Sequence, residues 1–282
     1  MALLSMGDKH RGTIENIAAY DASRFRCHGH GFMAPDLLII PYLQQADFGH
    51  VINITNTIID TRFILALLER WRPETQTFQL PIGECTVTLE EVYMLLGLPI
   101  DGNEVNGPVQ LPNAQCEELL GKNMLGQADA RGQGNNVNML YLPLLRDFNE
   151  TKEYSWGSAV LAFLYASLCK NAKKDACTFY GCALLLQVWG WWRLDSLNPM
   201  IFSFPYTTKF CVNGMDYTKN PQRHLSSYRN LLDHFGKGDF IWRPYLSLEH
   251  QTNQEDVEIW TAKTTIIRFN VVEMHHSDRV KM

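Results

Sequence analysis

The sequence predicts a mainly α-helical fold: a compact helical domain with one or two small β-hairpins, its two helix-rich halves joined by a polar linker. Three observations carry that expectation. Apolar residues recur at helical spacing, as in Ile64, Leu68 and Trp71. Two stretches, from Trp156 to Cys169 and from Thr178 to near Trp192, are apolar almost all the way round, which places such helices inside a core. Strand-like composition is confined to short pieces.

Composition bounds the answer. The chain has 282 residues, 46 % hydrophobic and 20 % charged, as a folded globular protein does. Seven Trp, fourteen Phe and eleven Tyr supply bulk for a core. The net charge of −5 is not the basic footprint of a dedicated nucleic-acid binder. Seven Cys stand at irregular spacings without a CxxC pair, a pattern of reduced thiols in an intracellular protein. The N-terminus lacks a secretory apolar core, and no apolar run reaches the ~20 residues of a membrane span. A soluble protein, either cytoplasmic or nuclear, is expected.

Along the chain, residues 1–34 show no sustained period and read as a poorly ordered entry segment with one short helix at most. Residues 35–282 form the domain. Pro35 opens a short helix that Pro41 limits or kinks. A helix over 55–71 follows, ended by Pro73. Residues 76–88 read as a hairpin turning at Pro81-Ile82-Gly83. Thr88-Leu89-Glu90-Glu91 is a capping box for a helix that stops at Gly97. Residues 103–138, rich in Gly, Asn and Gln, are the internal linker. Then come a helix over 138–149, one capped by Ser155, one capped by Thr178, and one from Leu225 to Phe235. Phe240 to Leu248 is extended, and Thr264 to Val272 is a β-branched run.

The segment RWRPETQTFQLPIGECTVTLEEVYMLLGLPIDG, Arg70 to Gly102, resembles the signature of the plant mobile domain, also called the aminotransferase-like plant mobile domain. Five further blocks are similar to the family and occur in its order: Met139–Asp175, Gly181–Arg193, Tyr228–Phe235, Phe240–Tyr245 and Val271–Val280. The family occurs in plant transposable elements. Its host members include maintenance-of-meristems proteins and a long form of a plant serine/threonine phosphatase. The resemblance implies a nuclear protein acting with a phosphatase-like partner in transposon silencing, gene-expression control and meristem maintenance. It supplies no catalytic residues. The chain departs from the family pattern in joining Gly121 to Leu140 without an additional helical stretch, which suggests a deletion in the linker, and in ending soon after Val280, which suggests a truncated C-terminus.

Chemical motifs are sparse. No Lys sits in a phosphate-binding context that pyridoxal-phosphate chemistry needs. The GDxHG, GDxxDRG and GNHE segments of a metallophosphatase are absent, as are GxSxG and GxxxxGK[ST]. Cys27, His28 and His30 cluster locally, as do His275 and His276, but no group has four ligands at zinc spacing. Neither catalytic residues, nor cofactor, nor metal, nor small-molecule substrate is expected. The segment from Phe78 to Leu98 is expected to form part of an exposed recognition surface, with Arg70, Arg72 and Glu84 as candidate contacts. Arg70 and Arg72 flank Trp71, an arrangement able to stack on a base, so chromatin or DNA association is the alternative: a transposon-derived DNA-associated factor, or a remnant of one.

Overall fold

The computed structural model describes residues 6–27, 35–53, 59–107, 139–194, 224–245 and 254–279. In chain order its helices are α1 (Ile14–Ala19), α2 (Ile40–Gln45), α3 (Thr61–Leu68), α4 (Leu89–Leu96), α5 (Phe148–Thr151), α6 (Trp156–Asn171), α7 (Ala183–Arg193), α8 (Leu225–Asp233) and α9 (Gln254–Thr261). The strands are β1 (Arg26–Cys27), β2 (Trp71–Arg72), β3 (Thr77–Leu80), β4 (Gly83–Cys85), β5 (Thr178–Phe179), β6 (Thr264–Arg268) and β7 (Val271–His275).

The expected mainly α class is overturned. The structure is about 47 % helical and 16 % strand, with three small sheets among the described residues. β2, β3 and β4 form an antiparallel sheet, β6 and β7 a hairpin, and β1 and β5 a parallel pair. The last pair explains the miss. Each of its strands is two residues long and its partner comes from a distant part of the chain, so no local period announces it.

Where helices were expected, local chemistry decides their limits. The capping box forms: the Glu91 carboxylate accepts the Thr88 N–H at 2.8 Å, and Gly97 closes α4 at φ 62°. Asp60 caps α3 through the N–H groups of Arg62 and Phe63. Pro41 lies in the first turn of α2, where its missing N–H is harmless, so it starts that helix rather than limiting it. The helix expected over 138–149 is a 3₁₀ stretch, Met139–Leu145, containing Pro143, followed by the separate α5. Ser155 spends its hydroxyl on the Ile100 carbonyl at 2.6 Å instead of capping α6. Thr178 belongs to β5, and α7 begins only at Ala183. The expected linker lies outside the described residues from 108 onward.

α6 is the centre. Leu161, Ala162, Leu164 and Leu168 are fully buried, and the helix packs against α4, β2, β5 and the β6–β7 hairpin. α7 lies beside α3 and α4. An aromatic chain ties the three-stranded sheet to both: Trp71 meets Phe78 at 4.8 Å and Tyr165 at 5.5 Å, and Phe78 meets Trp189 at 5.1 Å. Such pairs contribute roughly 0.5–1.5 kcal/mol beyond their buried area. Gly190 lets α7 approach α3: a Cβ there would stand 2.4 Å from Phe63 Cζ.

The described part of the entry segment, residues 6–27, packs onto this body. Arg11 is buried, donates to the Asn171 carbonyl at 2.9 Å and to that of Ala176, and stacks on Tyr20 and Phe25. It thereby covers the C-terminal end of α6, where a cation is favoured by the exposed carbonyls.

Two expected outcomes follow for stability. Gly190→Ala should cost about 1–3 kcal/mol through overpacking, and Phe63→Leu in the same chain should recover part of it, as read by urea unfolding. Buried Glu91 and Arg193 form an ion pair; Arg193→Met or Glu91→Gln alone should cost about 3–5 kcal/mol, and the double variant should cost less than either single. Single variants as stable as the parent would remove the pair from any structural role.

Candidate interaction site

The three sequence-nominated residues share one side of one sheet. In the register of β2–β3–β4, Trp71, Phe78 and Cys85 form a row facing the core. Alternation along the strands puts Arg70, Arg72 and Glu84 on the other side. There they differ. Arg70 is committed to the fold: it donates to the Ala66 carbonyl at 2.7 Å and the Arg229 carbonyl at 3.0 Å, and pairs with Asp233 at 2.6 Å. It fastens the end of α3 to α8, beside a two-pronged pair between Arg229 and buried Glu69. Glu84 is half-buried and accepts from the Thr77 hydroxyl at 3.1 Å. Arg72 is half-buried at the edge of β2.

Several groups with displaced pKa values serve the interior. Burial alone would push the Glu91 carboxyl up; the Arg193 guanidinium and the Thr88 hydrogen bonds outweigh it and hold it low. Arg193 also donates to the carbonyls of Ile241 and Trp242. Burial pushes the thiols of Cys27 and Cys85 up to about 12 and that of Cys169 to about 11, far from the thiolate a nucleophile needs. His275 donates from Nδ1 to the Ala262 carbonyl at 2.9 Å, and its Nε2 accepts the first N–H of α4, from Leu89, at 3.3 Å. His28 and His30 lie outside the described residues. Among the described residues no group of three His, Cys, Asp or Glu could hold a metal ion, and no helix is long and apolar enough to cross a membrane.

An open feature among the described residues left no local mark that the sequence analysis caught. A cleft of about 240 Å³ lies between α6 and the β6–β7 hairpin, lined by Tyr141, Trp156, Val160, Phe163, Tyr180 and Arg268 among others. Among the described residues that line it, Arg268 is the single formally charged one. Its guanidinium lies 4.1 Å from the Phe163 ring centroid and 5.5 Å from that of Tyr141, and its Nε donates to the Tyr141 hydroxyl at 2.6 Å. The signal was present: Arg268 is two residues after core-facing Ile266, so strand alternation turns it inward. Its aromatic partners come from other parts of the chain and leave no local trace.

A mixed helical and small-sheet domain that spends its charged groups on internal ties, and keeps an aromatic cleft open, is the class of protein defined here. The chain belongs to the plant mobile domain family, whose model matches residues 47–133 and 128–282. Among Arabidopsis thaliana proteins it is 29 % identical to Protein MAIN-LIKE 2, over 96 % of this chain and 51 % of that protein. It is 33 % identical to the serine/threonine-protein phosphatase 7 long form homolog, over 87 % of this chain and 23 % of that protein. With Protein MAINTENANCE OF MERISTEMS the identity is 27 %, over 85 % and 60 % respectively. The chain therefore spans between about a quarter and three fifths of these relatives. No solved structure matches it significantly.

Acid should weaken the fold through His10 and His275. His10 resembles His275 in being neutral and doubly bonded, with Nε2 on the Trp71 carbonyl at 2.8 Å and Nδ1 accepting from Gly12 at 2.9 Å. Burial lowers both pKa values below the ordinary 6.5. The unfolded chain thus takes up protons near pH 6.5 while the folded chain resists, so their contribution is present above that value and is lost as pH falls toward the folded values. The urea midpoint should drop between about pH 7.5 and 5.5, and His10→Gln with His275→Gln should flatten that dependence. An unchanged slope in the double variant would refute it.

Proposed function

We propose that this chain is a non-catalytic nuclear protein-interaction module that acts with a phosphatase-like partner. Its processes would be transposon silencing, control of gene expression and meristem maintenance. Family membership supports this reading, together with relatives whose names are a phosphatase long form and a maintenance-of-meristems protein. The single structural observation in its favour is the disposition of ionisable groups. Glu91, Arg193, Glu69 and Arg70 all bond within the fold, and none converges with a nucleophile on the aromatic cleft.

Surface remains for a partner. Leu37, Leu38 and Tyr42 are exposed by 81 %, 79 % and 52 % around the start of α2. The sheet side carrying Arg72 and Glu84 is the recognition surface we favour, with Arg70 holding it against α8.

The test is capture from plant nuclear extract by the tagged full chain. A phosphatase-fold protein should co-purify, and Arg70→Ala, Arg72→Ala and Glu84→Ala combined should reduce capture at least about tenfold while the melting temperature stays within a few degrees. Loss of folding would be resolved by the Arg72→Ala and Glu84→Ala pair alone. Undiminished capture would remove the sheet from the interface. No phosphatase, together with duplex DNA binding that weakens steeply with salt, would replace this reading by the DNA-associated one.

A further inference from the structure

We propose that the cleft between α6 and the β6–β7 hairpin is a receptor for a peptide C-terminus ending in an apolar or aromatic residue, with Arg268 reading the carboxylate. This deepens the interaction-module reading and rests on it.

The guanidinium of Arg268 is held in place before any ligand arrives. Its Cζ lies over the Phe163 ring, 4.1 Å from the centroid, and its Nε donates to the Tyr141 hydroxyl at 2.6 Å. Both η nitrogens are left without a hydrogen bond or carboxylate among the described residues, although the side chain is half-buried. Four N–H donors in a planar fork match the two oxygens of a carboxylate. An arginine oriented this way, with its stem and face already packed, loses little freedom when it binds.

The walls define the rest of the ligand. Trp156, Val160, Phe163 and Tyr180 are apolar or aromatic and line the same small cleft as Arg268, with the Phe163 ring in contact with the guanidinium. An occupant must therefore carry an anionic fork and an apolar group within a few ångströms of each other. A peptide's last residue has both on one Cα. An internal acidic residue places its carboxylate at the end of its own side chain, away from the next apolar side chain.

Alternatives fit less well. Aromatic cages commonly take cations, but here the cationic seat is filled by Arg268. The cleft's 240 Å³ is below the roughly 300–1,000 Å³ of cofactor and substrate sites and is suited to one or two side chains. Among the described lining residues there is no carboxylate or imidazole for acid–base chemistry.

The experiment uses the full chain and three probes: N-acetylphenylalanine, its primary amide, and inorganic phosphate. The readouts are the indole N–H resonance of Trp156, which is anchored on the Thr151 carbonyl at 2.7 Å, and the Nε resonance of Arg268. The acid should shift both saturably, and the amide should bind at least about tenfold more weakly. Phosphate should leave Trp156 unmoved. Arg268→Gln should erase the difference between acid and amide. Should that variant unfold, Val160→Phe fills the cleft from the α6 wall with Arg268 intact, and it should abolish binding of both organic probes. Equal binding of acid and amide, phosphate matching the acid, or full acid binding by Val160→Phe would each overturn the assignment. The probes contain no protein partner, so their failure leaves the capture of a phosphatase as a separate question.

Discussion

The fold depends most on the meeting of Arg193 and Glu91, a guanidinium and a carboxylate both removed from water, with side chains 3 % and 0 % exposed. They come from opposite sides of the segment 108–138, one from the last turn of α7 and one from the first turn of α4. Each end has a dipole the charge suits, a cation where carbonyls are unpaired and an anion where N–H groups are. Glu91 also closes the capping box on Thr88, and Arg193 gathers the carbonyls of Ile241 and Trp242. One ion pair thus registers α4, α7 and the 240–245 strip together. Buried pairs are weak sources of net stability, yet they penalise misaligned packings severely. In a domain assembled from small, loosely related pieces, that penalty selects one arrangement.

Much of the interior was legible. The capping box at Thr88, the exit at Gly97, the hairpin after Gln76 and the apolar helices around Leu164 and Trp189 all follow from local patterns that packing reinforces. What was illegible depended on partners distant in sequence. Two-residue strands such as Thr178–Phe179 have no period to detect, and Ser155 reads as a cap until Ile100 claims its hydroxyl. The cleft escaped for the same reason, since Arg268 takes its meaning from Phe163 and Tyr141. Residues 1–34 show no period, and within them Arg11 is held by the end of α6 rather than by an amphipathic face of its own.

The distribution of charge separates support from display. Arg229 on Glu69, Arg70 on Asp233 and Arg193 on Glu91 join helix ends to their neighbours. Arg268 has the same chemistry but a different setting: aromatic rings and a tyrosine hydroxyl orient it without neutralising it. A guanidinium held but not paired keeps its field directed outward, where the low-dielectric walls concentrate it.

The burial of Arg11 bears on how the unit is delimited. The family model begins at residue 47, yet the shell around Asn171 and Ala176 is completed by residues 10–25. An excised piece starting at 47 would uncover Phe25's seat and leave the Asn171 and Ala176 carbonyls without Arg11. The boundary of the family model and the physical one therefore do not coincide: the segment that model covers is smaller than the body that packs together, and the likeness to MAIN-LIKE 2, over 96 % of this chain, reaches past it.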